Sequence, residues 1–123
     1  MSSYNKNLGD WGEKIAVLEL QKIGFSILET NVFCSKFGEI DIIAKEEDTL
    51  VFIEVKTRAS TKSGEAIEAM TPAKQKKIIR SVLMYLKRVN KEDADFRIDV
   101  ATLDKQENGN WKFCLMRNAV NYF

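Results

Sequence analysis

The chain of 123 residues contains no histidine, one proline and two cysteines. Without histidine, neither a Ser-His-Asp triad nor a His-ligated zinc site can form. Cys34 and Cys114 show no Cys-x-x-Cys spacing, so we expect them to be small core residues in a reducing cytosol. Any catalytic chemistry therefore depends on carboxylates, lysines and a cation that prefers oxygen ligands.

Long hydrophobic runs are also missing. No apolar stretch approaches the roughly 20 residues that span a bilayer, and the opening "MSSYNKNLGDWGEK" lacks the charged-then-apolar order of a signal peptide. The hydrophobic fraction of 45% and the charged fraction of 30% are those of an ordinary globular protein. We expect one domain over residues 1–123, cytoplasmic and without a membrane partner.

The net charge of +1 conceals an asymmetry along the chain. Between Lys56 and Arg88 nine Lys or Arg residues face only Glu65 and Glu68, a balance of +7, so the remainder carries −6. Such a basic segment suits a polyanion brought to nearby carboxylates. A lysine-rich, solvated helix face accounts for it equally well, and charge alone does not decide between the two.

Hydrophobic periodicity predicts seven elements in the order αβββαββ. Thr71 and Pro72 supply an N-cap and a first-turn proline for the second helix, and Asn108-Gly109 is typical of a hairpin turn. The predicted fold is a mixed α/β domain whose central sheet is flanked by helices. The predicted helices cover 8–23 and 72–89, and the strands cover 25–31, 39–45, 49–57, 96–103 and 111–116.

The strand at 49–57 carries charges inside an apolar sequence, "LVFIEVK". Side chains alternate along a strand, so Glu54 and Lys56 lie on one face about 6.6–7 Å apart. Both faces are apolar, and burying an ion costs several kcal/mol without compensating partners. The preceding strand, joined by a short acidic turn, can bring Asp41 beside Glu54. The group is either a buried ion network with Lys56 or a divalent-metal site, and the second is the more economical explanation.

Glu13 shares a face of the first helix with residues that should pack on the sheet, Ala16, Val17 and Leu20. It could belong to the same cluster of acids. It could equally be a first-turn acid stabilised by the helix dipole, and spacing alone favours the dipole interpretation.

Asp41, twelve residues and then Glu54-Val55-Lys56 resemble the PD-(D/E)XK nuclease signature, although this pattern often arises by chance. More specific is the ordered set "GDWGEKIAVLEL", "GEIDIIA", "LVFIEVKTR", "AMTPAKQKKI" and "FRIDVATL". Together these segments resemble the YraN-like family of small bacterial proteins, related to archaeal Holliday-junction resolvases. The resemblance covers nearly the whole chain and implies a restriction-endonuclease-like fold.

The resemblance also implies a site. Asp41, Glu54 and the Val55 carbonyl would bind Mg²⁺ or Mn²⁺, with Glu13 contacting the cation directly or through water. Lys56 would orient the attacking water or stabilise the transition state, so that the catalytic set is Glu13, Asp41, Glu54 and Lys56. Where the family pattern has a basic residue soon after Asn31, this chain offers Lys36 first. The residues expected to contact nucleic acid are Arg58, Lys62, Lys74, Gln75, Lys77 and Arg80.

The predicted function is a metal-dependent endonuclease that hydrolyses DNA phosphodiesters, with branched repair or recombination intermediates as a candidate substrate class. The alternative is a nucleic-acid-binding module that retains the fold without catalysis. A glycosidase ranks third, because the basic excess argues for phosphate and the aromatics lie mostly on apolar strand faces. By analogy with the resolvases, a homodimer would place two sites across a two-fold symmetric junction.

Overall fold

The computed structural model describes residues 3–34, 36, 38–59 and 70–120, with side chains from residue 7 onward. The predicted loop after the third strand, with Lys62, lies outside the described residues. Within them the chain forms two helices and five strands in the predicted order: α1 Ser3–Lys22, β1 Ser26–Phe33, β2 Glu39–Glu46, β3 Thr49–Arg58, α2 Pro72–Arg88, β4 Phe96–Lys105 and β5 Trp111–Met116.

In the described part of the chain the strands form one mixed sheet in the order β1-β2-β3-β4-β5. Neighbours are antiparallel except β3 and β4, which are parallel. Parallel neighbours need a long crossover connection, and α2 lies in it. Residues 47–48 join β2 to β3, and residues 106–110 join β4 to β5. Glu47 adopts a positive φ of 54° between β2 and β3, and Gly109 adopts 88° between β4 and β5.

Each face of the sheet is covered by one helix. On the α2 side, Ile43 and Phe52 pack with Val82 and Leu86. On the α1 side, Val51 and Ile53 pack with Ala16 and Leu20, among other residues. Alternate residues of β3 thus enter opposite cores, as the sequence predicts. The mixed, restriction-endonuclease-like α/β class with helices on both faces is confirmed.

The ends of several elements differ from the prediction by one to five residues. Helix α1 begins at Ser3, five residues earlier than expected. Strand β4 continues to Lys105 because Lys105 still pairs with Trp111 of β5. Helix α2 ends one residue early, at Arg88, so that Val89 becomes its exposed C-cap.

The cysteines are both free: Cys34 is buried, as expected, and Cys114 is half-buried. In the described part of the chain no helix combines the length and the apolar character needed to cross a membrane.

Candidate active site

The strand pair β2–β3 separates at the end that carries the predicted acids. Its ladder runs from Glu46–Thr49 to Ile42–Ile53 and stops there. One further step in the same register would place Asp41 opposite Glu54. Instead, the side-chain Oδ2 of Asp41 accepts the backbone N–H of Val55 at 2.8 Å. A carboxylate therefore replaces the ladder partner of β3, and the two acids converge where the strands open.

Glu54 and Lys56 project from β3 on the face that α2 covers. Glu54 Oε1 lies 3.3 Å from Lys56 Nζ, and both side chains keep about a quarter of their surface accessible to solvent (23% and 24%). They therefore form an ion pair at the wall of a cleft and not in the closed core.

The raised pKa values of Asp41 and Glu54 indicate that the negative charge of this pair is not neutralised by neighbouring groups. Burial raises the pKa of Asp41 to about 6, and the charge of Glu13 adds to this, although the hydrogen bond from Val55 opposes it. Burial and the charge of Asp41 raise the pKa of Glu54 to about 7, against the lowering effect of Lys56. The lysine is therefore too weak a partner to offset desolvation and the second acid.

Glu13 belongs to this cluster. Burial raises the pKa of its carboxyl, while hydrogen bonds with Asp41 and with Asn31 oppose the rise. The helix-dipole interpretation of Glu13 is wrong. Because α1 begins at Ser3, Glu13 stands about three turns from the N-terminus, where the dipole no longer acts on it.

Gly12 explains how Glu13 comes so close to the sheet. A Cβ at Gly12 would overlap the hydroxyl of Thr57 on β3, so α1 and β3 approach each other at a distance that only glycine allows. The next residue of the helix, Glu13, is thereby carried to Asp41.

A cleft of about 240 Å³ opens between β3 and the start of α2. Glu54 and Lys56 form one wall, and Lys74 and Lys77 face them from the helix. The remaining lining residues are Gly38, Glu39, Met70, Ile78 and Ser81. Two of the predicted phosphate contacts therefore share a cleft with the acid-x-Lys strand.

The other predicted nucleic-acid contacts are placed differently. Arg58 donates from Nε to Asp104 Oδ1 at 2.8 Å, across the parallel pair β3–β4. The side-chain amide of Gln75 donates to the carbonyl of Met70 at 2.9 Å and so holds the chain that enters α2. Arg80 lines a neighbouring cleft with Lys77. Their roles toward nucleic acid stay predictions, as does that of Lys62.

The donor set fits one kind of metal. Among the described residues, no group of three or more Asp, Glu or Cys side chains gathers to hold an ion by itself. Asp41 and Glu54 form a pair of anionic oxygens instead. Mg²⁺ and Mn²⁺ suit oxygen donors, and Mg²⁺ commonly binds through one or two carboxylates and keeps several waters. The pair therefore fits such a cation.

Two residues of the site gave no functional signal in the sequence. Asn31 lies in β1 with a φ of 53° and hydrogen-bonds Glu13. Gly38 has a φ of 104° beside Lys77. Asparagine and glycine are the residues that most readily adopt the left-handed region. Their residue types are therefore compatible with a left-handed backbone, but the sequence does not indicate that these two positions lie at the site.

Comparison with known proteins places the chain in a family. The family described as "Uncharacterised protein family UPF0102" matches residues 12–103. A UPF0102 protein of Geotalea daltonii is 50% identical over 99 residues, covering 80% of this chain and 77% of that protein. One of Clostridium botulinum is 44% identical over 117 residues, 94% of each chain.

Among solved structures, SfsA of Pyrococcus furiosus in complex with Ca²⁺ is similar at a TM-score of 0.43 and 12% identity. The match covers 92% of this chain but spans only 63% of that protein. The family matches confirm the resemblance to YraN-like proteins, and this chain belongs to the UPF0102 family.

Proposed function

We propose that this protein is a metal-dependent nuclease that hydrolyses DNA phosphodiesters. The observation that carries the proposal is the contact between Asp41 and Glu54 at the edge of an open cleft that Glu54 lines. Their pKa values are raised to about 6 and about 7, even though Lys56 lies beside Glu54. A site that accumulates negative charge in this way is suited to a cation, and perturbed carboxylates in a cleft are typical of functional sites.

Asp41 and Glu54 would hold Mg²⁺ or Mn²⁺, with the carbonyl of Val55 as a neutral donor and Glu13 as an outer or direct ligand. A divalent cation here would supply Lewis-acid polarisation of the phosphate and a lowered pKa for a coordinated water. The hydrogen bond from Val55 N–H fixes one oxygen of Asp41. The backbone thus fixes the orientation of this candidate ligand, next to Glu54 and Glu13.

Lys56 is the candidate for acting on the reacting atoms. Its ammonium is anchored at 3.3 Å from Glu54 and stays partly accessible to solvent. From there it would orient the attacking water or donate to the phosphate oxygens as charge develops on them. Lys74 and Lys77 face it across the cleft and would hold the phosphates, a sequence-independent contact.

The first experiment titrates Mn²⁺ calorimetrically into wild type, Asp41→Asn and Glu54→Gln. We expect both variants to lose binding, because a hard cation needs anionic oxygens and the chain has no histidine to replace them. Glu92→Gln removes one exposed carboxylate from the turn between α2 and β4, at the opposite end of β3 and β4 from the two acids, and is the matched control. Wild-type affinity in Asp41→Asn and Glu54→Gln would refute the metal site.

The second experiment incubates linear and branched DNA with the protein, with and without Mg²⁺, and reads retention and cleavage separately. Cleavage that requires Mg²⁺ and fails in Glu54→Gln is the expected result. Retention without cleavage at any Mg²⁺ concentration would instead identify a non-catalytic binding module that keeps the nuclease fold.

A further inference from the structure

A second cleft, of about 530 Å³, adjoins the first one along α2. Its described lining consists of Lys36, Ala73, Lys76, Lys77 and Arg80. Four of these five residues are cations and none is an acid. Lys36 comes from the segment between β1 and β2, so the positive charge is gathered from two separate parts of the chain and is not merely a property of one helix.

The sequence of α2 makes this concentration of charge costly for the helix. Between Pro72 and Arg88 it contains six Lys or Arg residues and no acid, so none of the opposite-charge pairs that normally stabilise a helix surface can form within it. Lys76 and Arg80 stand four residues apart and repel each other. Lys74 lies in the first turn, where the helix dipole disfavours a cation. An anionic ligand would offset all of these effects at once.

Lys77 connects the two clefts, since it lines both of them. A Cβ at Gly38 would lie 3.1 Å from Cε of Lys77, so the side chain of Lys77 passes directly over a backbone that lacks a side chain of its own. A side chain at Gly38 would crowd Lys77 at the place where the two clefts meet.

We propose that the second cleft binds the phosphodiester backbone of the nucleic acid on one side of the scissile phosphate. The placement relative to that phosphate rests on the proposed function; the binding itself does not. From Lys74 to Arg80 the helix rises about 9 Å, the axial span of roughly three phosphates of one duplex strand. Two clefts joined by one lysine suit a polymer that runs through both, whereas a lipid headgroup would fill only one.

The test measures binding of a fluorescent DNA duplex by anisotropy in EDTA, at several salt concentrations, so that no cleavage intervenes. Lys76→Glu/Arg80→Glu reverses two charges of the second cleft. Lys87→Glu/Lys91→Glu reverses two exposed charges, also four residues apart, at the other end of α2 and just beyond it. The two double variants have the same net charge, so their difference reports position and not overall charge.

We expect the Lys76/Arg80 variant to bind at least ten-fold more weakly and to reduce the slope of log affinity against log salt by about 2. The Lys87/Lys91 variant should stay within a factor of about three of wild type. Lys76→Gln/Arg80→Gln, which removes charge without reversing it, should fall between them. Thermal melting of each variant verifies that the fold is kept.

Equal losses of DNA affinity in the two reversed variants, or no loss in either, would overturn the proposal that the second cleft binds the phosphodiester backbone. Binding to anionic lipid vesicles that depends on Lys76 and Arg80 while duplex binding does not would also overturn it. The proposed nuclease could survive either result, because Mn²⁺ binding and cleavage are measured separately. The converse outcome is also distinguishable. If the wild type never cleaves DNA but only the Lys76/Arg80 variant loses duplex binding, the second cleft is confirmed as a binding site and the proposed nuclease activity is refuted.

Discussion

Lys56 has two candidate roles that experiment can separate: counter-ion of Glu54 and donor to a phosphate. As the partner of Glu54 at 3.3 Å it is a counter-ion for a partly buried carboxylate. As an ammonium that faces a cleft with Lys74 and Lys77 it is a candidate donor to a phosphate. The pKa of Glu54 stays raised to about 7 in spite of it, so its value as a counter-ion is limited.

Lys56→Met separates these roles, because methionine keeps an unbranched apolar stem and removes the charge. If Lys56 acts on the reaction, the variant keeps Mn²⁺ and DNA binding, melts close to wild type and loses about 10²–10³ in cleavage rate. Lys105→Met, at the exposed end of β4, is the control. A variant that melts far lower without metal, by roughly 3–5 kcal/mol, and cleaves normally when folded would make Lys56 a structural counter-ion.

At the scale of elements, the site depends on where α1 sits on the sheet. Helix α1 lies against β3 with Gly12 over Thr57, while Gly9, one turn earlier, has open space around it. The two glycines look alike in the sequence, in "LGDWGEK". Only the packing of helix on strand distinguishes them, and only Gly12 controls the approach of Glu13 to Asp41.

Gly9→Ala and Gly12→Ala form a matched pair. Alanine favours the helix over glycine by about 0.5–1 kcal/mol, so Gly9→Ala should raise the free energy of unfolding by about that amount. Gly12→Ala should lower it by about 1–3 kcal/mol, because the new Cβ forces α1 away from Thr57. Urea denaturation measures both. Equal stabilisation by the two substitutions would contradict the close contact between α1 and β3.

At the scale of the molecule, the acids at the two ends of β2 respond to pH in opposite directions. Glu46, at the end of β2, is bound by Arg117 and Arg97, and hydrogen bonds from these guanidinium groups lower its pKa to about 2. Asp41 and Glu54, at the other end of β2 and β3, have raised pKa values. The negative charge of Glu46 is therefore compensated by its arginines, whereas that of Asp41 and Glu54 is not compensated by the protein.

This contrast predicts the pH dependence of stability in EDTA. The pKa values of Asp41 and Glu54 are higher in the folded state than their ordinary values near 4. Stability should therefore fall as pH rises from about 4 to 7, by on the order of 3 kcal/mol for each acid taken alone. Glu46 acts oppositely: its contribution is present above about pH 4.3 and is lost as pH falls toward 2. The optimum should therefore lie near pH 4–5.

Urea denaturation between pH 3 and 8 measures this dependence. Asp41→Asn/Glu54→Gln should remove the decline above pH 5, and Glu46→Gln should reduce the decline below pH 4. Stability that is flat or rising from pH 5 to 7 in the metal-free wild type would show that the two central acids are compensated by the protein itself. The cation argument would then lose its basis.

Much of the fold and half of the site follow from local rules in the sequence. Strand alternation places Glu54 and Lys56 on one face of β3 and divides Leu50 and Phe52 from Val51 and Ile53, because successive side chains point to opposite sides whatever the strand packs against. The cap at Thr71 and Pro72 likewise begins α2 where expected.

Tertiary structure decided the rest, because it depends on register and on how closely elements approach. The β2–β3 ladder stops at Ile42–Ile53, and Asp41 accepts a hydrogen bond from Val55 N–H instead of continuing it. The spacing of residues along the chain does not predict where the two strands separate. Glu13 joined the acids only because Gly12 lets α1 approach the sheet. Likewise, Lys36 meets Lys76 and Arg80 across some forty residues of chain, a proximity that only the folding of β2 and β3 between them creates.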